Sequence, residues 1–158
     1  MHSFENTLRA VCRDIKPKRI LEWGPGHSTA VMHQECPDAQ IITTEHHPDY
    51  FKVAQENYGS FAAVFRYRAD GQKCEYAVWP IWGMEDGYKA DLAFIDGRRR
   101  VECAMVAGMM VRSGGAIVVH DAHRWHYREV LEHWLGKPEE KYMADSMTRV
   151  WIVKSRFN

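Results

Sequence analysis

Several things that would each point elsewhere are missing from this chain. No apolar run approaches the roughly 20 residues that span a bilayer, and no signal-peptide pattern opens the sequence. A soluble cytoplasmic protein with no membrane partner is therefore expected. Charge of one sign is also lacking: 21 lysines and arginines face 21 aspartates and glutamates. With no net charge, bulk attraction to a nucleic acid is not expected. The four cysteines, Cys12, Cys36, Cys74 and Cys103, include no Cys-x-x-Cys pair. Reduced, mostly buried thiols follow, not a disulfide frame. There is no repeat, linker or low-complexity tract. No Ser/His/Asp or Cys/His arrangement points to a covalent nucleophile. The 158 residues suit one domain, with an N-terminal helix within 1–16 and a core over 18–155.

The chain is organised around Arg19-Ile20-Leu21-Glu22-Trp23-Gly24-Pro25-Gly26-His27-Ser28-Thr29. Ile20 and Leu21 read as a buried strand, Gly24 to Gly26 as a tight turn, and Ser28 or Thr29 as the cap of the next helix. A strand, a glycine turn and a helix start gather backbone N–H groups and a positive dipole end in one crevice. Glycine lets a ligand approach the backbone closely.

On either side of this stretch the pattern alternates. Residues 3–15 form an amphipathic helix, with Ser3 as its cap and Phe4, Leu8, Val11, Cys12 and Ile15 on one face. Strands are expected at 40–45, 62–68, 91–95 and 116–119, with helices at 49–58, about 72–78, after Gly97 and at 124–136. A final antiparallel pair is expected at 140–145 and 149–155. The fold class is therefore α/β: a doubly wound, mainly parallel seven-stranded sheet with helices on both faces. Ligands in such sheets bind beyond the carboxyl ends of the strands. Glu22, Glu45, Asp70, Asp96 and Asp121 all fall at that edge. Trp79 and Trp82 read as core fillers or as pocket walls.

Glu22 narrows the choice of ligand. A carboxylate at the strand tip repels a pyrophosphate and suits an amine or a sulfonium. S-adenosylmethionine carries both positive groups and no phosphate. Glu45 follows Gly26 by 19 positions, close to the spacing at which a second-strand acid meets a ribose diol. Asp70-Gly71-Gln72 follows the third strand and offers hydrogen bonds to an adenine edge.

In these segments the chain resembles the class I, Rossmann-like S-adenosylmethionine-dependent methyltransferases, over about residues 18–155. Leu21-Glu22-Trp23-Gly24-Pro25-Gly26 is similar to the family's acid–x–Gly–x–Gly motif, with Ser28 where a third glycine is common. The resemblance implies cofactor contacts at Glu22, Gly24, Gly26, Ser28, Glu45, His46, Asp70, Gly71, Gln72 and Asp96. The Glu45–Tyr50 segment is similar to catechol O-methyltransferases. The Ile95–Gly97 and His120–Arg124 segments also resemble glucuronoxylan O-methyltransferase-like domains. Asp96 and Asp121 are similar to two of three magnesium ligands in catechol-type enzymes, Ala122 stands where the third would be, and Arg99 stands where those enzymes place a lysine base.

Three roles for Asp96, Asp121 and His123 stay open. They can hold Mg2+ or another divalent metal that acidifies an acceptor hydroxyl. His123 can act as a base without a metal. Asp121 can also simply cap a helix while His120 bonds within the core. Arg98, Arg99 and Arg100 form either a solvated helix start or a recognition site for an acidic group. The expected function is O-methyl transfer to a small molecule or a sugar, by a chain that can be a homo-oligomer. The alternatives are a non-catalytic or partner-dependent binding scaffold and a nicotinamide-dependent oxidoreductase.

Overall fold

A computed structural model describes residues 4–70 and 74–154. Its sheet is built from β1 (Arg19–Trp23), β2 (Gln40–Glu45), β3 (Ala62–Arg66), β4 (Ala90–Ile95), β5 (Val111–Val119) and β6 (Arg149–Ile152). The strand order is β3-β2-β1-β4-β5-β6; only β6 runs antiparallel, against β5. Six strands are described, not seven. The stretch expected to be the first strand of the terminal pair is a 3-10 turn at Glu140–Tyr142. There Tyr142 donates to Asp14 Oδ2 and its carbonyl accepts from Thr7 Oγ1. The segment is thus tied to the first helix, and β6 pairs with β5.

Side chains in the central strands alternate between two cores, as period-two geometry requires. Leu21, Trp23, Ala93, Ile95, Ile117 and Val119 join the core under α4 (Glu75–Gly83), α5 (Arg100–Met110) and α6 (Trp125–Leu135). Ile20, Leu92, Phe94, Ala116 and Val118 join the core under α1 (Glu5–Ile15) and α2 (His27–Glu35). The remaining helix, α3 (Pro48–Tyr58), packs on β2 and β3. Helices therefore cover both faces of the sheet. Ser3, the expected cap of α1, lies outside the described residues.

Two local expectations change. The helix expected to stop near residue 78 continues through Pro80 to Gly83. Proline has no N–H to donate to the carbonyl four residues back, which is that of Tyr76. The Trp23 indole supplies that bond, with Nε1 at 2.9 Å from the Tyr76 carbonyl oxygen. The second change is in α5, where the sequence spacing predicts an apolar face of Val101, Ala104, Met105, Gly108 and Met109. Cys103, Ala104, Val106 and Ala107 face the core, whereas Met105 and Met109 are exposed. Among the described residues no helix is long and apolar enough to cross a membrane.

Candidate active site

The turn after β1 and the turn after β4 meet at the carboxyl edge of the sheet. Gly24 has φ +92°, in the left-handed region that disfavours a side chain. A Cβ there would lie 2.8 Å from the Gly97 amide nitrogen. Gly97 is constrained in turn, because a Cβ on it would overlap the Tyr76 hydroxyl. The two glycines let neighbouring turns pack backbone to backbone and leave a cleft of about 1280 Å³ beside them.

Of the residues singled out in the sequence, Gly24, Gly26, Ser28, Glu45, His46, Asp70, Asp96 and Arg99 line this cleft. Gly71 and Gln72 lie outside the described residues. Glu22, Asp121 and His123 are not on the cleft wall. Trp79 is a core residue and Trp82 is exposed; neither lines the cleft.

Glu22 sits beneath the turn, with none of its surface exposed. Its Oε1 accepts from Ser28 Oγ at 2.6 Å and its Oε2 from Thr29 Oγ1 at 2.8 Å. Thr29 Oγ1 in turn accepts from the Gly26 N–H at 3.0 Å. These hydroxyls tie strand to helix; Gly26, not Ser28 or Thr29, occupies the cap position. Burial pushes the Glu22 carboxyl up to about 7, against the two hydroxyl bonds that pull it down. A direct ligand contact was expected of this residue. Its position instead makes it the brace of the turn.

Glu45 is oriented toward the cleft by its own backbone. Its Oε1 accepts from the His46 and His47 N–H groups, both at 2.7 Å. His46 Nδ1 lies 2.7 Å from the same oxygen. Among the described residues, Oε2 has no hydrogen-bond partner. Asp70, at the rim, is paired with Arg68 at 3.3 Å, which lowers its pKa.

At the far end of the cleft, a residue named in the sequence only as one of three arginines takes the central place. Arg100 Nη2 lies 2.9 Å from Asp96 Oδ1 and 3.0 Å from the Asp96 carbonyl oxygen. Its Nη1 lies 3.1 Å from Asp121 Oδ2. Arg124 Nη2 lies 2.6 Å from that same oxygen, and the Arg100 guanidinium sits 5.8 Å from the Tyr127 ring centre. The backbone is held under strain here: Arg99 and Asp121 have φ of 54° and 59°. Burial raises the Asp96 carboxyl pKa, opposed by the charges of His120 and Arg100.

This arrangement does not fit a divalent metal. The two carboxylates proposed as ligands already share one guanidinium, and the third position is the buried methyl of Ala122. No group of three or more metal-capable side chains exists among the described residues. His120 pairs through Nδ1 with Thr148 Oγ1 at 3.1 Å, and its Nε2 lies 3.9 Å from Asp121 Oδ1. His123 is exposed and off the cleft wall, so it is not placed to act as a base. Asp121 does not cap the next helix with its side chain, and Arg99 pairs with Glu102 at 2.9 Å. The sequence marks 122–127 as an acceptor-side loop but assigns no role to Arg124 and Tyr127, which reach the cleft from the start of α6. Spacing carried no signal for them, because they meet Arg100 only through the fold.

The fold is that of the Rossmann-like methyltransferases. It superposes on a methyltransferase-like protein of Silicibacter pomeroyi at a TM-score of 0.75 and 19% identity, over 96% of this chain and 85% of that one. An O-methyltransferase of Bacillus cereus, solved as a complex with S-adenosylhomocysteine, gives 0.69 and 14% identity, over 96% and 81%. A Thermotoga maritima S-adenosylmethionine-dependent O-methyltransferase gives 0.67 and 12%, over 100% and 68%. No protein-family model and no curated protein matches the chain.

Proposed function

We propose that this chain is an S-adenosylmethionine-dependent O-methyltransferase acting on a small molecule or a sugar in the cytoplasm. The observation that carries the reading is the half-satisfied Glu45 carboxylate at the β2 tip, facing the cleft beside the Gly24–Gly26 turn. Two backbone amides fix Oε1 and leave Oε2 for a ribose diol. The turn brings backbone N–H groups to the cofactor's amino-acid end, and the buried Glu22 braces it from beneath through Ser28 and Thr29. When bound, the cofactor supplies a methyl group on a sulfonium that is its own leaving group. Asp96, at the acceptor end, accepts the hydroxyl proton, and Arg100 holds its carboxylate in place. No step runs through a metal.

Titration calorimetry with S-adenosylhomocysteine tests this reading. Wild type is expected to bind, and Glu45→Ala to bind at least ~10-fold more weakly, about 1.4 kcal/mol. Gly24→Val should abolish binding, since its side chain would meet the Gly97 backbone. No heat of binding in wild type would overturn the proposal. A second reading, a scaffold that binds the cofactor without turnover, draws on one observation: His123, the expected base, lies off the cleft. Methyl transfer across a panel of hydroxylated acceptors separates the two.

A further inference from the structure

Two carboxylates at neighbouring strand tips, both largely buried, need a cation. Asp96 follows β4 and Asp121 lies two residues beyond β5; their side chains are 28% and 10% exposed. Left unpaired, two such charges would be costly to bury. A divalent ion is one answer, and it needs more oxygen donors than two. This chain has another. Arg100, its own side chain only 12% exposed, puts one nitrogen on each acid, at 2.9 and 3.1 Å. A guanidinium is planar and always charged, and its donors are fixed in a fork. Tyr127 closes one side of it and Arg124 adds a second cation on Asp121. The group cannot move aside without taking from Asp96 its side-chain hydrogen-bond partner and from Asp121 one of two guanidinium partners.

We propose that Arg100 is a built-in cation that occupies the place of a divalent metal between Asp96 and Asp121, so that methyl transfer by this chain is metal-independent. The inference rests on the methyltransferase reading for its functional half only. Arg100 is a positioning residue: it holds one oxygen of Asp96 and leaves the other to the acceptor. A guanidinium on the chain itself needs no loading, whereas a metal site fills only at sufficient ion concentration. The acceptor then needs no pair of adjacent oxygens to chelate an ion, and one hydroxyl within reach of Asp96 is enough.

Mn2+ binding, followed by electron paramagnetic resonance with and without S-adenosylhomocysteine, tests the claim without knowledge of the acceptor. Mn2+ suits carboxylate sites and is the probe itself. Wild type is expected to bind no stoichiometric Mn2+ up to about 1 mM. Arg100→Met is expected to gain a Mn2+ site, lost again in Arg100→Met/Asp121→Asn; a purely structural arginine would produce no such gain. Arg100→Lys keeps the charge, guards against misfolding of the neutral variant, and should bind no Mn2+. Stoichiometric Mn2+ in wild type, abolished by Asp96→Asn, would overturn the proposal, as would a folded Arg100→Met that binds none. Binding of S-adenosylhomocysteine is read on the same samples. Its absence would sink the methyltransferase reading and leave the Mn2+ result to decide the role of Arg100.

Discussion

Glu22→Gln isolates what a fully buried carboxyl beneath the cofactor turn does to the fold. In the folded chain this carboxyl is raised to about 7 from an ordinary 4.5, because burial disfavours the charge more than Ser28 and Thr29 stabilise it. The folded state therefore holds its proton more tightly than the unfolded state. That contribution is full below about pH 4.5 and is lost as pH rises through about 7. The gap corresponds to about 3 kcal/mol at about 1.4 kcal/mol per pH unit. With no exposed surface on the side chain, solvent screening calls for no discount. Against a typical total of about 5–15 kcal/mol, the effect is large. Glutamine keeps the shape, keeps one acceptor for a hydroxyl and never ionises. The assay is urea denaturation of wild type and variant at pH 5, 6, 7 and 8. The difference between the two cancels every other titrating group. The variant should be close to wild type at pH 5 and gain on it steadily, by up to about 3 kcal/mol at pH 8. A difference that stays flat with pH would refute the reasoning, since Glu22 would then be charged throughout.

Two further substitutions test the scaffold beneath the cleft. Gly97→Ala forces a methyl group onto the Tyr76 hydroxyl and should cost about 2 kcal/mol or more in thermal or chemical denaturation; adding Tyr76→Phe should recover part of the loss. Trp23→Phe leaves the Tyr76 carbonyl unpaired opposite Pro80, at about 1–3 kcal/mol by urea titration. In Trp23→Phe/Pro80→Ala the restored amide of residue 80 takes that carbonyl, so the double variant should be more stable than Trp23→Phe alone.

The sheet could be read from the sequence because its central strands are buried on both faces. Leu92–Ile95 and Ala116–Val119 are continuous apolar runs, and their parallel pairing follows from the alternation of helices and strands. Helix ends were less legible. The continuation of α4 through Pro80 depends on an indole 57 positions earlier in the chain, a partner that no local window contains. The strand expected at 140–145 failed for a similar reason: its polar groups are taken by Thr7 and Asp14 of α1. At the cleft, spacing located the acids but not their partners. Whether a strand-tip acid faces the ligand or the interior depends on which donors the fold places beside it.

That dependence separates five acids that look alike in the sequence. Glu22 is neutralised from within by two hydroxyls and by its raised proton affinity. Asp70 is held by Arg68 at the rim, and Asp121 lies beneath Arg100 and Arg124. Glu45 and Asp96 are each tethered by one oxygen and line the cleft, one beside the turn and the other at the far end. A single carboxylate at each end suits one molecule held by its hydroxyls and another that gives up a proton. Exchanging the partners would change this division without moving a strand. Removing Arg100 would free the tethered oxygen of Asp96 and leave Asp121 to Arg124, whereas a side-chain cation set against Glu45 Oε2 would take its free oxygen away. The chemistry of this edge is therefore set less by where its acids fall in the sequence than by which of them the neighbouring donors leave half-satisfied.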